Sequence, residues 1–272
     1  KDITLLSMPA GKKKIPSFET IDWKIEEETK GKFPHFMIKE IFEQPTVLRN
    51  IAKNYEDQIK PIAQIIKNAK GTFFIGAGTA YHACLAGVYL FSKISHLHVN
   101  TAVASEFNYL EDFLTYDSLI IALSQSGETI DVIEPLARAK REGSKIAAIT
   151  NVLGSSVYRM ADYKLLLNAG VEKAVASTKA YTAKLAVLVM LAFTIQKNAK
   201  NAKSLLLDLA IEIERLLSKS EVSTIKELAK KLYKAQHIYT IGRGVSLATA
   251  LEAALKIKEV SYIHAEGLSG GE

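Results

Sequence analysis

At 272 residues and 48% hydrophobic content, the chain is long enough for one large or two small globular domains with a buried core. Its net charge of +6 comes from scattered lysines, the densest run being Lys12-Lys13-Lys14, which argues against nucleic acid and suits a small anion at least as well. A single cysteine, Cys84, excludes an internal disulfide framework and a cysteine-rich zinc site, and a reducing, cytoplasmic setting is the natural one.

Residues 1–32 carry Pro9, Gly11, Pro16 and the acidic run Glu26-Glu27-Glu28 without sustained periodicity, and read as an extended linker. Lys1 rather than methionine opens them, which suggests a piece of a longer protein. From Phe33 a folded unit begins. His35 to Gln44 reads as a short helix stopped by Pro45, and Val47 to Lys67 as a second helix with Ile51, Ile59, Ile62 and Ile66 on its apolar face. Thr72-Phe73-Phe74-Ile75 is a buried strand, ending in Gly76-Ala77-Gly78-Thr79 before a helix from Tyr81 to Ile94. This is strand, tight turn, helix. Tyr81 stands where a Rossmann fingerprint would need its third glycine, which argues against a dinucleotide; Gly78 and Thr79 either contact a ligand or serve turn geometry alone.

Short apolar strands recur at Val99 to Val103, Leu119 to Leu123, Ile146 to Thr150 and Tyr163 to Leu167, with helical segments between them. That alternation predicts an α/β fold, a parallel sheet covered by helices on both faces, with binding at the carboxyl ends of its strands. The third strand runs into Ser124-Gln125-Ser126-Gly127-Glu128-Thr129 and then a helix from Ile130 to Arg141. Three hydroxyls, an amide and a glycine at a helix start form a phosphate-binding turn, because free N–H groups and the positive end of the dipole converge there. The simpler alternative is a helix capped by Ser126.

Val171 to Lys179 opens an apolar helix from Ala180 to Gln196, where Val175 and Ser177 either close over a bound sugar or, with Thr178, cap the helix. The apolar run Leu185 to Ile195 falls well short of the ~20 residues a membrane span requires. Residues Lys203 to Leu217 and Val222 to Lys234 read as amphipathic helices. His237-Ile238-Tyr239-Thr240-Ile241-Gly242-Arg243-Gly244-Val245-Ser246 then repeats strand, Gly-x-Gly and helix, so a duplicated unit is expected. The second copy is incomplete: one strand, a helix from Leu247 to about Tyr262, and no further strands. The expected division is 1–32 linker, 33–200 first subdomain, and 201–272 connecting helices with the start of a second subdomain. On that last helix Glu252, Lys256 and Glu259 share one face. They suit proton shuttling on a sugar, although spacing alone favours solvent ion pairs worth ~0.2 to 0.5 kcal/mol each.

The blocks Gly31 to Pro45, Ser105-Glu106-Phe107, Ser124 to Thr129, Val175 to Lys179 and Ala253 to Glu266 resemble the sugar isomerase (SIS) domain of glutamine-fructose-6-phosphate aminotransferases, and the similarity runs through almost the whole chain. The resemblance implies two flavodoxin-like halves, each a three-layer parallel sheet between helices, and a homodimer. It implies fructose 6-phosphate or glucosamine 6-phosphate as ligand, no metal or organic cofactor, and a glutaminase domain elsewhere in the full-length chain. It places Ser124, Gln125, Ser126 and Thr129 on the phosphate, Thr79, Val175 and Ser177 on the sugar, Glu259 as the proton-moving carboxylate, and Lys256 and Glu252 as assisting residues. Ala80 departs from a common serine, and the family's ring-opening histidine and tail lysine are not among these residues. A glucosamine-6-phosphate deaminase-like enzyme and a non-catalytic sugar-phosphate sensor remain the alternatives.

Overall fold

The computed structural model describes residues 4–16 and 29–271. Residues 1–3 and 17–28 of the expected linker, including Glu26-Glu27-Glu28, and Glu272 lie outside the described residues. Within the linker stretch, β1 (Leu5–Ser7) and β2 (Lys12–Lys14) form a small antiparallel hairpin, so this part is not simply extended. Gly11 closes it at φ +62°, its amide donating to Ser7 O at 2.7 Å.

The first helix, α1 (Phe36–Asn54), begins at His35, whose Nδ1 accepts from Ile38 N, and it passes through Pro45 instead of stopping there. A proline at position 45 leaves the carbonyl of Ile41 without its helical donor. The Gln44 side chain supplies one, Nε2 donating to Ile41 O at 3.1 Å, while its Oε1 accepts from the Thr182 hydroxyl. The expected helix from Val47 to Lys67 is in fact the end of α1 and a separate α2 (Glu56–Asn68). Tyr55 makes the break: it is buried, and its hydroxyl donates to Leu166 O at 2.7 Å, drawing the chain toward the sheet edge.

The main sheet comprises β3 (Gly71–Gly76), β4 (Asn100–Val103), β5 (Ser118–Ser124), β6 (Lys145–Thr150) and β7 (Tyr163–Leu166) in the order β4-β3-β5-β6-β7, all parallel. Its strands alternate between two cores, as a two-residue period requires. Phe74, Leu119, Ile121, Leu123, Ala147 and Ile149 face one layer, which holds α1, α2, α3 (Thr79–Leu90) and α7 (Lys179–Ile195). Ile75, Ile120, Ala122, Ile146 and Ala148 face the other, formed by α4 (Ala104–Phe107), α5 (Ile130–Arg141) and α6 (Ser156–Met160). Burial on both faces is why these strands read as continuous apolar runs.

After α7 come α8 (Ala199–Leu216), which packs on α1, and α9 (Lys219–Leu232). Then β8 (His237–Gly242) leads into α10 (Val245–Ser261), which packs on α3. The expectation of no further strand is overturned: β9 (His264–Ser269) runs parallel to β8 in register from His237/His264 to Gly242/Ser269. Its glycine and hydroxyl residues disguised it as loop. Gly267 is there because a Cβ would stand 2.7 Å from the Leu251 backbone of α10. No helix among the described residues is long and apolar enough to cross a membrane.

Candidate functional site

The site begins where β5, buried along its whole length, gives way to the turn at Ser124. Gly127 takes φ +67°, and a Cβ on it would lie 2.1 Å from Ser155 Oγ, so both conformation and space demand glycine. Ser124 Oγ accepts from Gly127 N at 2.9 Å and Ser126 Oγ from Glu128 N at 3.2 Å. Each serine oxygen is thus engaged as an acceptor by the turn itself, leaving its O–H to donate outward. Ser126 does not cap the following helix: Thr129 occupies that position, without a side-chain capping bond.

On the neighbouring strand, Gly78 at φ 52°, ψ −125° turns the chain so that Thr79 starts α3. Thr79, Ser124, Gln125, Ser126, Thr129 and Ser177 line one cleft, as does Ala80. The two turns therefore meet at the carboxyl ends of β3 and β5, as the sequence pattern requires. Val175 is not among the lining residues and is 96% exposed. Lys184 on α7, which sequence reasoning passed over, does line the cleft.

Two carboxylates shape the segment leading to Ser177. Glu172 Oε1 accepts from Thr178 N at 2.9 Å and Ala180 N at 3.2 Å, and its Oε2 accepts from Ser177 Oγ at 2.9 Å. Glu172, not Ser177 or Thr178, caps α7, because an ionised acceptor makes stronger bonds and complements the helix dipole. From α1, buried Glu40 Oε1 accepts from Lys173 N at 2.7 Å and Ala174 N at 3.1 Å; burial nevertheless pushes its carboxyl above the usual range.

The row on α10 meets the cleft at a single side chain. Thr79 Oγ1 donates to Glu252 Oε1 at 2.9 Å and accepts from Lys256 Nζ at 2.9 Å. His82, one turn along α3, bonds the other Glu252 oxygen through Nδ1 at 2.7 Å. Lys256 stands 3.3 Å from Glu252 and 2.5 Å from Glu259. Glu252 is buried against α3, so the three do not form a row of solvent ion pairs. They are a chain of ion pairs along α10, tied to α3 through Thr79 and His82, with Glu259 at its more open end. His82 was missed because its partner lies 170 residues away. No cluster of three metal-ligating side chains occurs among the described residues.

A doubly wound parallel sheet with a hydroxyl-rich turn at its carboxyl edge makes the protein an α/β domain with a cleft suited to a small anion. Residues 65–194 and 231–272 match the SIS domain, and the chain belongs to that family. The glutamine–fructose-6-phosphate aminotransferase [isomerizing] of Thermococcus kodakarensis is 41% identical over 259 residues, an alignment covering 93% of this chain and 43% of that protein. The Bacillus cereus protein of the same name is 46% identical over 257 residues, covering 89% and 42%. The chain thus spans less than half the length of these curated relatives. The solved C-terminal domain of glucosamine-fructose-6-phosphate aminotransferase from Francisella tularensis is 31% identical with a TM-score of 0.77, covering 90% of this chain and 72% of that one. Tagatose-6-phosphate ketose/aldose isomerase from Escherichia coli, 16% identical with a TM-score of 0.72, shares the fold.

Proposed function

We propose that the chain binds fructose 6-phosphate and carries out the ketose–aldose isomerisation and amination half of glucosamine 6-phosphate synthesis. The observation that carries this reading is the junction at Thr79, one hydroxyl that lines the donor-rich cleft and bonds both Glu252 and Lys256. The names of the relatives point to the same chemistry.

The phosphate sits on the outward O–H groups of Ser124, Ser126 and Thr129, with the Gln125 amide beside them, and Ser177 and Thr79 take sugar hydroxyls. Val175, at the tip of the same segment, closes over the sugar. Glu259 takes a proton from C1 and returns it at C2, the transfer that turns a ketose into an aldose. Lys256, held between Glu252 and Glu259, stabilises the ionised carboxylate and the developing enediolate oxygen. Glu252 fixes Lys256, Thr79 and His82, so its role is positioning. In the full-length protein a glutaminase domain supplies ammonia, and two copies assemble in the cytoplasm as a homodimer.

Calorimetry with fructose 6-phosphate and with unphosphorylated fructose separates these roles. Ser126→Ala removes a donor to a charged acceptor and weakens binding of the phosphorylated sugar by about 1.5 to 3 kcal/mol, leaving fructose unchanged. Glu259→Gln, which keeps size and loses basicity, retains wild-type affinity. Equal affinity of wild type and Ser126→Ala for fructose 6-phosphate overturns the reading of the turn.

A further inference from the structure

Resting on the reading of the cleft as a sugar-phosphate site, we propose that Lys184 is its charged anchor, a buried ammonium that makes a turn of neutral donors selective for dianionic phosphate. Lys184 is 1% exposed and lines the same cleft as Ser124, Ser126, Thr129 and Ser177. Among the described residues it makes no hydrogen bond and no ion pair within 4 Å, whereas the other two lysines near the site are engaged, Lys179 with Glu43 and Lys256 with Glu259. A buried ammonium without a partner is costly, and an anion in the cleft removes that cost.

The turn's own groups cannot supply a positive charge. Its serine hydroxyls and the Gln125 amide donate hydrogen bonds that a neutral sugar oxygen accepts nearly as well. A cation on the cleft wall favours the phosphate specifically. Four other ionisable groups act on Lys184: Glu172 preceding α7, Cys84 on α3, and Glu252 and Lys256 on α10. Glu172 and Glu252 favour its charge and Lys256 opposes it, while Cys84, itself pushed up by burial, stays a neutral thiol; burial outweighs the carboxylates and pulls the amine down to about 8. Near neutral pH it is mostly charged in the free protein. Above that value the free amine loses its proton, and an arriving dianion restores it.

Binding at about pH 8.5 therefore takes up a proton from buffer, at a pH where a sugar phosphate is already fully ionised. The test is calorimetry of wild type, Lys184→Gln, Lys184→Met and Ser126→Ala with fructose 6-phosphate and with inorganic phosphate, in buffers of different ionisation enthalpy. Both Lys184 substitutions should weaken each anion about tenfold or more near pH 7 and abolish the proton uptake at pH 8.5, while melting at or above the wild-type temperature. Ser126→Ala should weaken binding and keep the uptake. If Ser126→Ala behaves so while the folded Lys184 variant binds within about twofold of wild type with uptake unchanged, the anchor is overturned and the cleft reading stands. If wild type binds neither anion, both fall.

Discussion

The chain makes one turn twice and covers it differently. Gly78 and Gly244 hold nearly the same unusual backbone, φ 52°, ψ −125° and φ 56°, ψ −133°, each between a parallel strand and a long helix. Around the first, β3 lies between β4 and β5 with helices on both faces, and Phe74 and Ile75 are fully buried. Around the second, β9 is the only strand paired with β8 among the described residues, and Tyr239 and Ile241 are 57% and 68% exposed. The conformation is therefore set locally, by glycines whose Cβ would collide with the next turn of chain: Ala80 C lies 2.8 Å from one at Gly76, and Ser246 O 2.1 Å from one at Gly242. Burial depends on neighbours, and a two-stranded parallel sheet has too few.

The largest expected effect tests that contrast directly. Ile121→Asp places a carboxylate in the middle of a fully covered strand and should cost more than about 4 kcal/mol, enough to remove the cooperative urea transition. Ile241→Asp, the same change on the exposed strand, should cost no more than about 0.5 kcal/mol. Comparable losses at both positions would mean that the β8–β9 face is covered in solution.

A smaller effect is expected where the two copies touch. Position 245 is valine where position 79 is threonine, so Thr79→Val makes the first turn imitate the second. It removes the hydroxyl that ties Glu252 and Lys256 of α10 to α3, bonds to charged partners worth about 1.5 to 3 kcal/mol. Hydrogen exchange should quicken in α10 and leave the strands of the main sheet untouched. Uniform acceleration would place the seam elsewhere.

The smallest effect concerns a drawback of close cover. Glu111, beneath α5, is buried with neither oxygen hydrogen-bonded, Arg138 Nε being 3.4 Å away, and burial pushes its carboxyl up to about 7. For an acid raised above its ordinary value of 4.5, the folded state binds more protons through the window from about 4.5 to about 7, so its contribution to stability falls as pH rises through it. Glu111→Gln should therefore gain on wild type at pH 8 in urea titrations and lose that advantage at pH 4. An equal difference at both pH values would show that ionisation of Glu111 is not responsible.

The five strands of the main sheet and the helix from Ile130 to Arg141 were legible because buried parallel strands are apolar throughout and their turns carry glycine. The cleft was legible in part, since Ser124 to Thr129 and Gly78-Thr79 announce themselves locally. Lys184 was not, because a lone lysine in an apolar helix reads as a solvent-reaching side chain. Its signal was available all the same: Ala180, Val187, Leu188 and Leu191, four before it and three, four and seven after, are all apolar, so it lies at the centre of the buried stripe. Glu172 as a cap and His82 as a partner of Glu252 depend on where the chain folds back, which spacing does not encode.

The amide of Gln44 couples the energetics of two adjacent positions. With proline at 45, Gln44 is the donor that keeps the Ile41 carbonyl occupied; with alanine at 45, the backbone does that work and position 44 is released from it. Gln44→Leu should therefore cost more beside proline than beside alanine, the lost acceptor for the Thr182 hydroxyl being common to both. The two substitutions are therefore non-additive, and a double-mutant cycle over positions 44 and 45 reads the coupling as the single bond to Ile41 O.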